Sequence, residues 1–201
     1  NQQLGGRATV VLRCHATKPV GIGEGGALLT RDGELATRVR RLSNFGFHNT
    51  QVRELGSNAK LSEYAAAVGL AQWARWPGQQ ARRQGLWQVY AQALGALPGV
   101  QLQQGFASHE LPATVSVGLP ATTASVASAL ALMGIHSRRW YCPTLQHHPV
   151  FAQCPKADEL PVSSYLNDYS LGLPWYAAIT PSQCERVVRA LQHVLGDIDL
   201  T

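Results

Sequence analysis

Charge and sulfur are both scarce in this chain, and it has no apolar run long enough to cross a bilayer. Of its 201 residues 14% are charged and four are cysteine. The cysteines, Cys14, Cys142, Cys154 and Cys184, have no regular spacing, which argues against a disulfide framework in a chain of this size and for reduced thiols. Cys142, His147, His148 and Cys154 fall within thirteen positions. Structural zinc sites pair their cysteines closely, as in C-x-x-C, and no such pair is present, so no metal is expected. The lack of an apolar span and of a charged-then-apolar leader points away from a secreted or membrane protein and toward the cytoplasm.

What is present is ordinary globular material. Hydrophobic residues make up 45%, the content of a folded chain of one or two domains. The net charge of +5 suits an anionic partner such as a phosphate cofactor or a nucleotide sugar. Nucleic acid is not expected as that partner. Arg38, Arg40 and Arg41, and again Arg82 and Arg83, lie on predicted amphipathic helices where a solvated face explains them, and no base-stacking motif or helix-turn-helix signal accompanies them.

The runs Thr9 to Leu12 and Ala27 to Thr30 are too brief for helices and are bounded by polar or glycine residues, which predicts short buried strands. Asp32 predicts a helix cap, and Leu35, Val39 and Leu42 mark one apolar face of a helix over 32–43. From Leu61 to Trp76 nearly every residue is apolar or small, which predicts a helix buried against close neighbours. Pro77-Gly78 predicts a break before a polar helix over 79–97, and with it a boundary between domains at 1–77 and 78–201. In the second part, strands predicted at 100–103, 114–118 and 135–139 alternate with helices at 123–133 and 181–195. The last is opened by Thr180 ahead of Pro181, a favourable first helical residue.

The segment between the first two strands carries the chemistry. Lys18 ends His15-Ala16-Thr17-Lys18, just ahead of Gly21-Ile22-Gly23-Glu24-Gly25-Gly26. A lysine leaving a strand edge into a glycine-lined cavity can be desolvated, which lowers its pKa and makes the neutral amine a nucleophile toward an aldehyde. Gly21-x-Gly23-x-x-Gly26 also matches the dinucleotide-binding fingerprint by letter. That fingerprint needs a strand directly before it and a helix opening inside it, whereas here a polar segment precedes and a strand follows.

These residues resemble the active-site segment of the DegT/DnrJ/StrS family, pyridoxal-phosphate (PLP) aminotransferases that place amino groups on keto sugars linked to nucleotides. The resemblance runs from Lys18 through Gly23-Glu24-Gly25-Gly26 and Ala27 to Thr30, to Asn44-Phe45-Gly46, and on to Gly56-Ser57-Asn58 with its small-residue helix. It continues through Gly134 to Arg138, Tyr141, Pro143 and Leu173-Pro174, in order and over nearly the whole chain. Two positions depart from the family pattern. Arg13 stands where the family usually has a phosphate-binding serine, and Gln146, followed by His147, stands where the family commonly has a histidine near the substrate.

The resemblance implies an α/β fold made of part of the large PLP-transferase domain, of the aspartate aminotransferase fold type I, with a complete small C-terminal α/β domain. It implies Lys18 as the catalytic Schiff-base lysine, with Arg13, His15 and Asn58 beside the cofactor. Asn58 would reach the cofactor phosphate of a second subunit while also capping the following helix. Lys60, Arg138, Tyr141 and His147 would face the nucleotide sugar, and glutamate is the expected amino donor. The family lysine lies mid-chain, so the half that holds the cofactor phosphate and ring nitrogen is expected from a second polypeptide or a partner. A homodimer and an inactive isolated chain are therefore expected. The alternative is a catalytically dead family member that persists as a folded dimerisation or binding module.

Overall fold

A computed structural model describes residues 8–103, 111–140 and 142–198. It separates into two compact units, one ending at Pro77 and one beginning at Gly78.

The first unit opens with an antiparallel hairpin of β1 (Val10–Arg13) and β2 (Gly26–Leu29), with Val10 opposite Leu29 and Arg13 opposite Gly26. Helix α1 (Gly33–Leu42) follows. As the sequence predicts, Asp32 caps it, accepting from Leu35 N–H at 2.9 Å. A second small hairpin, β3 (Phe47–His48) and β4 (Gln51–Val52), leads on toward α2 (Glu63–Gly95).

Three expectations change here. The first two strands are not buried: Val11 is 74% exposed, and Leu12 and Leu29 are exposed too. A two-stranded ribbon has two faces and two free edges, and the described residues of this unit leave Val11, Leu12 and Leu29 uncovered. The apolar start of α2 is likewise open, with Trp73 63% exposed and Tyr64 and Leu70 more so. Finally, Pro77 does not break the helix, because α2 runs through it from Glu63 to Gly95. A proline removes one intrahelical hydrogen bond and crowds one preceding carbonyl. Alanine, glutamine, arginine and leucine on either side favour helix strongly enough to carry the chain past it.

The second unit is built on a three-stranded antiparallel sheet ordered β5-β6-β7, from Gln101–Leu102, Val115–Gly118 and Ser170–Leu173. Val115 pairs with Leu173 and Gly118 with Ser170. Along β6 the side chains alternate, Val115 and Val117 entering the core while Ser116 and Gly118 do not, the period of a strand with one covered face. Helices α3 (Thr123–Leu132), α4 (Pro161–Tyr169) and α5 (Pro181–Ile198) complete the unit. The core gathers Tyr90 and Leu94 of α2, Val126 and Leu130 of α3, Leu171 of β7 and Leu191 of α5. Arg83 is buried here. Its guanidinium donates to the Pro112 carbonyl at 3.1 Å and lies 4.8 Å from the Trp175 ring centroid, so the charge keeps one hydrogen bond and one aromatic face.

The strand predicted at 135–139 reduces to one bridge, Arg138 with Gly172, and the third strand is β7 instead. Helix α4 carries no strong sequence signal. Its serines, valine, tyrosines and asparagine are middling helix formers, and the segment is fixed by packing on β7 and α3. Among the described residues, no helix is long and apolar enough to cross a membrane.

The start of α5 shows the reciprocal pattern of a capping box. Gln183 N–H donates to Thr180 Oγ1 at 3.3 Å, while Thr180 N–H donates to Gln183 Oε1 at 2.9 Å. Thr180→Ala is expected to lower the stability of this unit by about 1 kcal/mol, read as a shift in a urea melt. Thr180→Ser should recover most of the loss.

Candidate functional site

Lys18 sits in the loop joining β1 to β2, and that loop is a continuation of the hairpin ladder rather than a free excursion. Cys14 N–H donates to Gly25 O at 2.9 Å, Ala16 N–H to Gly23 O at 2.6 Å and Ile22 N–H to Cys14 O at 2.9 Å. The tip is closed by Lys18 N–H on His15 O at 2.8 Å. The glycines serve close packing more than they line a cavity. A Cβ at Gly21 would lie 2.7 Å from Ala16 O, and one at Gly25 would lie 2.7 Å from Leu61 Cδ1. Gln72 of α2 holds the loop from below, donating to Gly21 O at 3.3 Å.

His15 is held at both ring nitrogens. Thr17 N–H donates to Nδ1 at 3.2 Å, which makes Nδ1 an acceptor and puts the ring proton on Nε2, 3.3 Å from the Glu24 carboxylate. Glu24 is thereby occupied by His15. Lys18 is half-buried, and among the described residues no carboxylate or other side chain pairs with its ammonium group. Arg13, at the end of β1, is exposed.

A second group forms around the end of α1. Ser57 N–H and Ala59 N–H donate to the carbonyls of Leu42 and Ser43, both at 2.9 Å, and Asn44 and Asn58 form a bridge between them. Asn58 is therefore fixed at its backbone while the residue itself stays exposed. It does not cap α2. That position belongs to Ser62, whose Oγ accepts from Ala65 N–H at 3.1 Å; four residues separate Asn58 from the helix, too many for its side chain to serve the first free amides. Lys60 donates to Asn44 Oδ1 at 2.8 Å with its ammonium 5.4 Å from the Phe45 ring centroid. The loop and this knot adjoin where Leu61 packs under Gly25.

Glu54 ties the knot to α1. Arg38 Nε donates to Glu54 Oε2 at 2.8 Å, and Arg41 approaches Oε1 at 3.0 Å. The Arg38 hydrogen bond, aided by the charge of Arg41, holds the Glu54 carboxyl below its ordinary value of 4.5. A carboxyl with a depressed folded pKa contributes stability that is fully present above the unfolded value and is lost as pH falls through the folded one. Stability measured from pH 6 downward should therefore fall less steeply for Glu54→Gln than for the native chain. Parallel slopes would show that the pair contributes nothing.

In the second unit Arg138 is exposed, its backbone paired with Gly172. His147 is exposed as well, with Nδ1 3.1 Å from Thr144 Oγ1. Tyr141 lies outside the described residues. A cavity of about 600 Å³ in this unit takes Gln146 and Asn167 in its wall but not His147 or Arg138. Sequence reading placed Gln146 only as a departure from a family pattern and Glu24 only as part of the Gly23-Glu24-Gly25-Gly26 turn, and it missed Asn167, which carries no motif of its own. Among the described residues no cluster of three His, Cys, Asp or Glu is gathered, and the four cysteines are unpaired.

The DegT/DnrJ/EryC1/StrS aminotransferase family model matches residues 1–192. An Escherichia coli protein named dTDP-4-amino-4,6-dideoxy-D-glucose transaminase is 28% identical over 181 residues, which is 86% of this chain and 48% of that protein. Among solved structures, DesI in the presence of its TDP-sugar product superposes with a TM-score of 0.83 at 32% identity, covering 96% of this chain and 51% of that one. A Bacillus cereus structure described as a PLP-dependent aminotransferase gives a TM-score of 0.85 at 29% identity, over 92% of this chain and 51% of that one. The chain spans about half the length of the curated relatives it matches. The expected fold class holds: the chain is α/β, and its structural neighbours are PLP aminotransferases of fold type I.

Proposed function

Because the chain belongs to the DegT/DnrJ/EryC1/StrS aminotransferase family, we propose that it forms the lysine-bearing half of a PLP-dependent aminotransferase acting on a nucleotide-linked keto sugar. The observation that carries this reading is Lys18 on a clamped hairpin loop with Glu24 turned to His15. With Glu24 engaged by His15 and no side chain pairing with the Lys18 ammonium group among the described residues, Lys18 is left open to an aldehyde. The residues present therefore fit the aldehyde end of the cofactor.

When bound, PLP supplies an electron sink for charge developing at the donor's α-carbon. The chain's own residues supply the rest. Lys18 would hold the cofactor and, as a free amine, its Nζ would carry the proton between the donor's α-carbon and the cofactor's C4′ carbon, the transfer that moving an amino group requires. His15, fixed by Thr17 and Glu24, sets the wall beside it. Arg13 offers a charged fork to a phosphate, and Asn58 offers an amide N–H to the phosphate of a second subunit. Lys60, Arg138, Tyr141 and His147 serve the nucleotide-sugar end, with glutamate as donor. The open apolar surface of the first unit, Tyr64, Leu70 and Trp73 included, is where a second copy or a separate chain with the rest of the fold would pack, and the assembly would work in the cytoplasm. The isolated chain has no transaminase activity on this reading, and robust turnover by it alone would refute that.

One observation favours a second reading. Arg13 is exposed and much larger than the serine it replaces, which suits a family member that keeps its fold as a dimerisation or binding module without catalysis. Adding PLP to the purified chain, reducing with borohydride and mapping the modified peptide separates the two. Stoichiometric label on Lys18 supports the first reading, while absent or scattered label supports the second.

A further inference from the structure

The turn that carries Lys18 is held by a single residue. Lys18 N–H donates to the His15 carbonyl at 2.8 Å, and Thr17 N–H donates to the ring Nδ1 of the same histidine at 3.2 Å. Both amides that lead the chain into Lys18 therefore end on His15. Thr17 Oγ1 also lies 2.9 Å from Nδ1, but a hydroxyl can give or take a proton, whereas a backbone N–H can only give one. The Thr17 amide thus requires a bare Nδ1 and a ring proton on Nε2.

Glu24 receives that proton, its Oε1 lying 3.3 Å from Nε2. Its place opposite His15 is built into the ladder. Gly23 O accepts from Ala16 N–H at 2.6 Å and Gly25 O from Cys14 N–H at 2.9 Å, so the two chain neighbours of Glu24 are bonded to the two chain neighbours of His15. Gly23 and Gly25 hold φ of +92° and +143°, backbone that a side chain would strain, which leaves Glu24 as the residue with a side chain between them. The carboxylate is 80% exposed and the imidazole 29%, so attraction between the two as charges counts for little. What the carboxylate contributes is an acceptor at one ring nitrogen, which opposes both a flip of the ring and a shift of the proton to Nδ1.

We infer that Glu24 is a positioning residue for Lys18, acting through His15: by accepting the Nε2 proton it keeps Nδ1 open to the Thr17 amide, and so fixes the turn from which the lysine side chain leaves the backbone. The role requires no contact between Glu24 and cofactor or substrate. It deepens the proposed function, on which it rests for what Lys18 does, while the hold on the turn is a property of the hairpin itself. The acidic residue of the Gly23-Glu24-Gly25-Gly26 turn thereby acts on the lysine without pairing with its ammonium group.

Amide hydrogen exchange and ring-nitrogen NMR of the full chain, without PLP and at a pH where histidine is neutral, test the assignment. The native His15 ring should carry its proton on Nε2. Glu24→Ala should speed exchange at the Thr17 amide by roughly two- to tenfold, the range of one net hydrogen bond, and should let the ring proton divide between the two nitrogens. Glu24→Gln, whose amide oxygen still accepts from Nε2–H, should keep both native values. A native ring protonated on Nδ1, native Thr17 exchange in Glu24→Ala, or Glu24→Gln behaving as Glu24→Ala does would each overturn the proposal. Glu24 is exposed, so neither substitution disturbs a core, and the native tautomer needs no variant at all. Because PLP takes no part, the result is independent of labelling at Lys18: absent label removes the lysine's role and leaves the turn standing, while native exchange in Glu24→Ala removes Glu24 and leaves the label standing.

Discussion

Lys18→Ala removes the borohydride-fixed PLP label from the chain, and Lys18→Arg removes it equally. The second variant separates chemistry from charge, since an arginine keeps the cation but has no neutral amine to offer at working pH. The mapping is clean because the chain has three lysines, Lys18, Lys60 and Lys156. Lys60 is exposed and its ammonium is engaged with Asn44 and the Phe45 ring. Lys156 lies in the other unit, at the cavity of Gln146 and Asn167. Label retained in Lys18→Ala at native stoichiometry would remove Lys18 from the mechanism. In an assembled enzyme with the rest of the fold supplied, the same substitution should cost roughly 10²- to 10⁴-fold in turnover, the span of a lost general acid and base. Native turnover by the substituted assembly would exclude Lys18 just as firmly.

The other large expected effect concerns the core of the second unit. Leu191 of α5 is 0% exposed within the cluster that holds Tyr90, Leu130 and Leu171. Truncating a leucine so enclosed loses its transfer free energy and leaves a cavity, so Leu191→Ala should destabilise this unit by about 2–5 kcal/mol. Urea unfolding followed by tryptophan emission reads the change, since Trp87 and Trp175 lie in or against this core. Leu55, 97% exposed in the first unit, provides the contrast, and Leu55→Ala should fall within about 0.5 kcal/mol of the native chain. A small effect at Leu191 would mean that the unit collapses around the gap or that α5 docks less firmly than its burial indicates.

These expectations show where sequence reading succeeds. The cap at Asp32, the helix start at Thr180-Pro181 and the strand expected at 114–118 are written in neighbouring residues, and each is found in the structure. Their causes act within a turn of helix or along one strand, so a short window of sequence contains them. The burial expected of β1, β2 and the start of α2 fails for the opposite reason. An apolar run states that a surface can be buried, while whether it is buried depends on what else is present to cover it.

The candidate site divides along the same line. Lys18, its glycine turn and Asn58 are legible because the pattern that carries them is continuous in sequence. The pairing of His15 with Glu24 is not, since eight residues of chain lie between the two and only the hairpin ladder brings them together. Ser62 displaces Asn58 as the cap because the helix starts later than its apolar pattern does.

What the sequence determined by itself is the local frame: a lysine on a glycine-rich turn between two short strands, followed by an α/β unit with its helices capped at recognisable residues. The tertiary structure alone decided that β7 rather than 135–139 completes the sheet, and that Gln146 and Asn167 meet one cavity. Both are settled by partners distant in sequence. A strand exists when an edge is available to pair it, and a cavity wall is assembled only when separate segments of the chain are folded against each other.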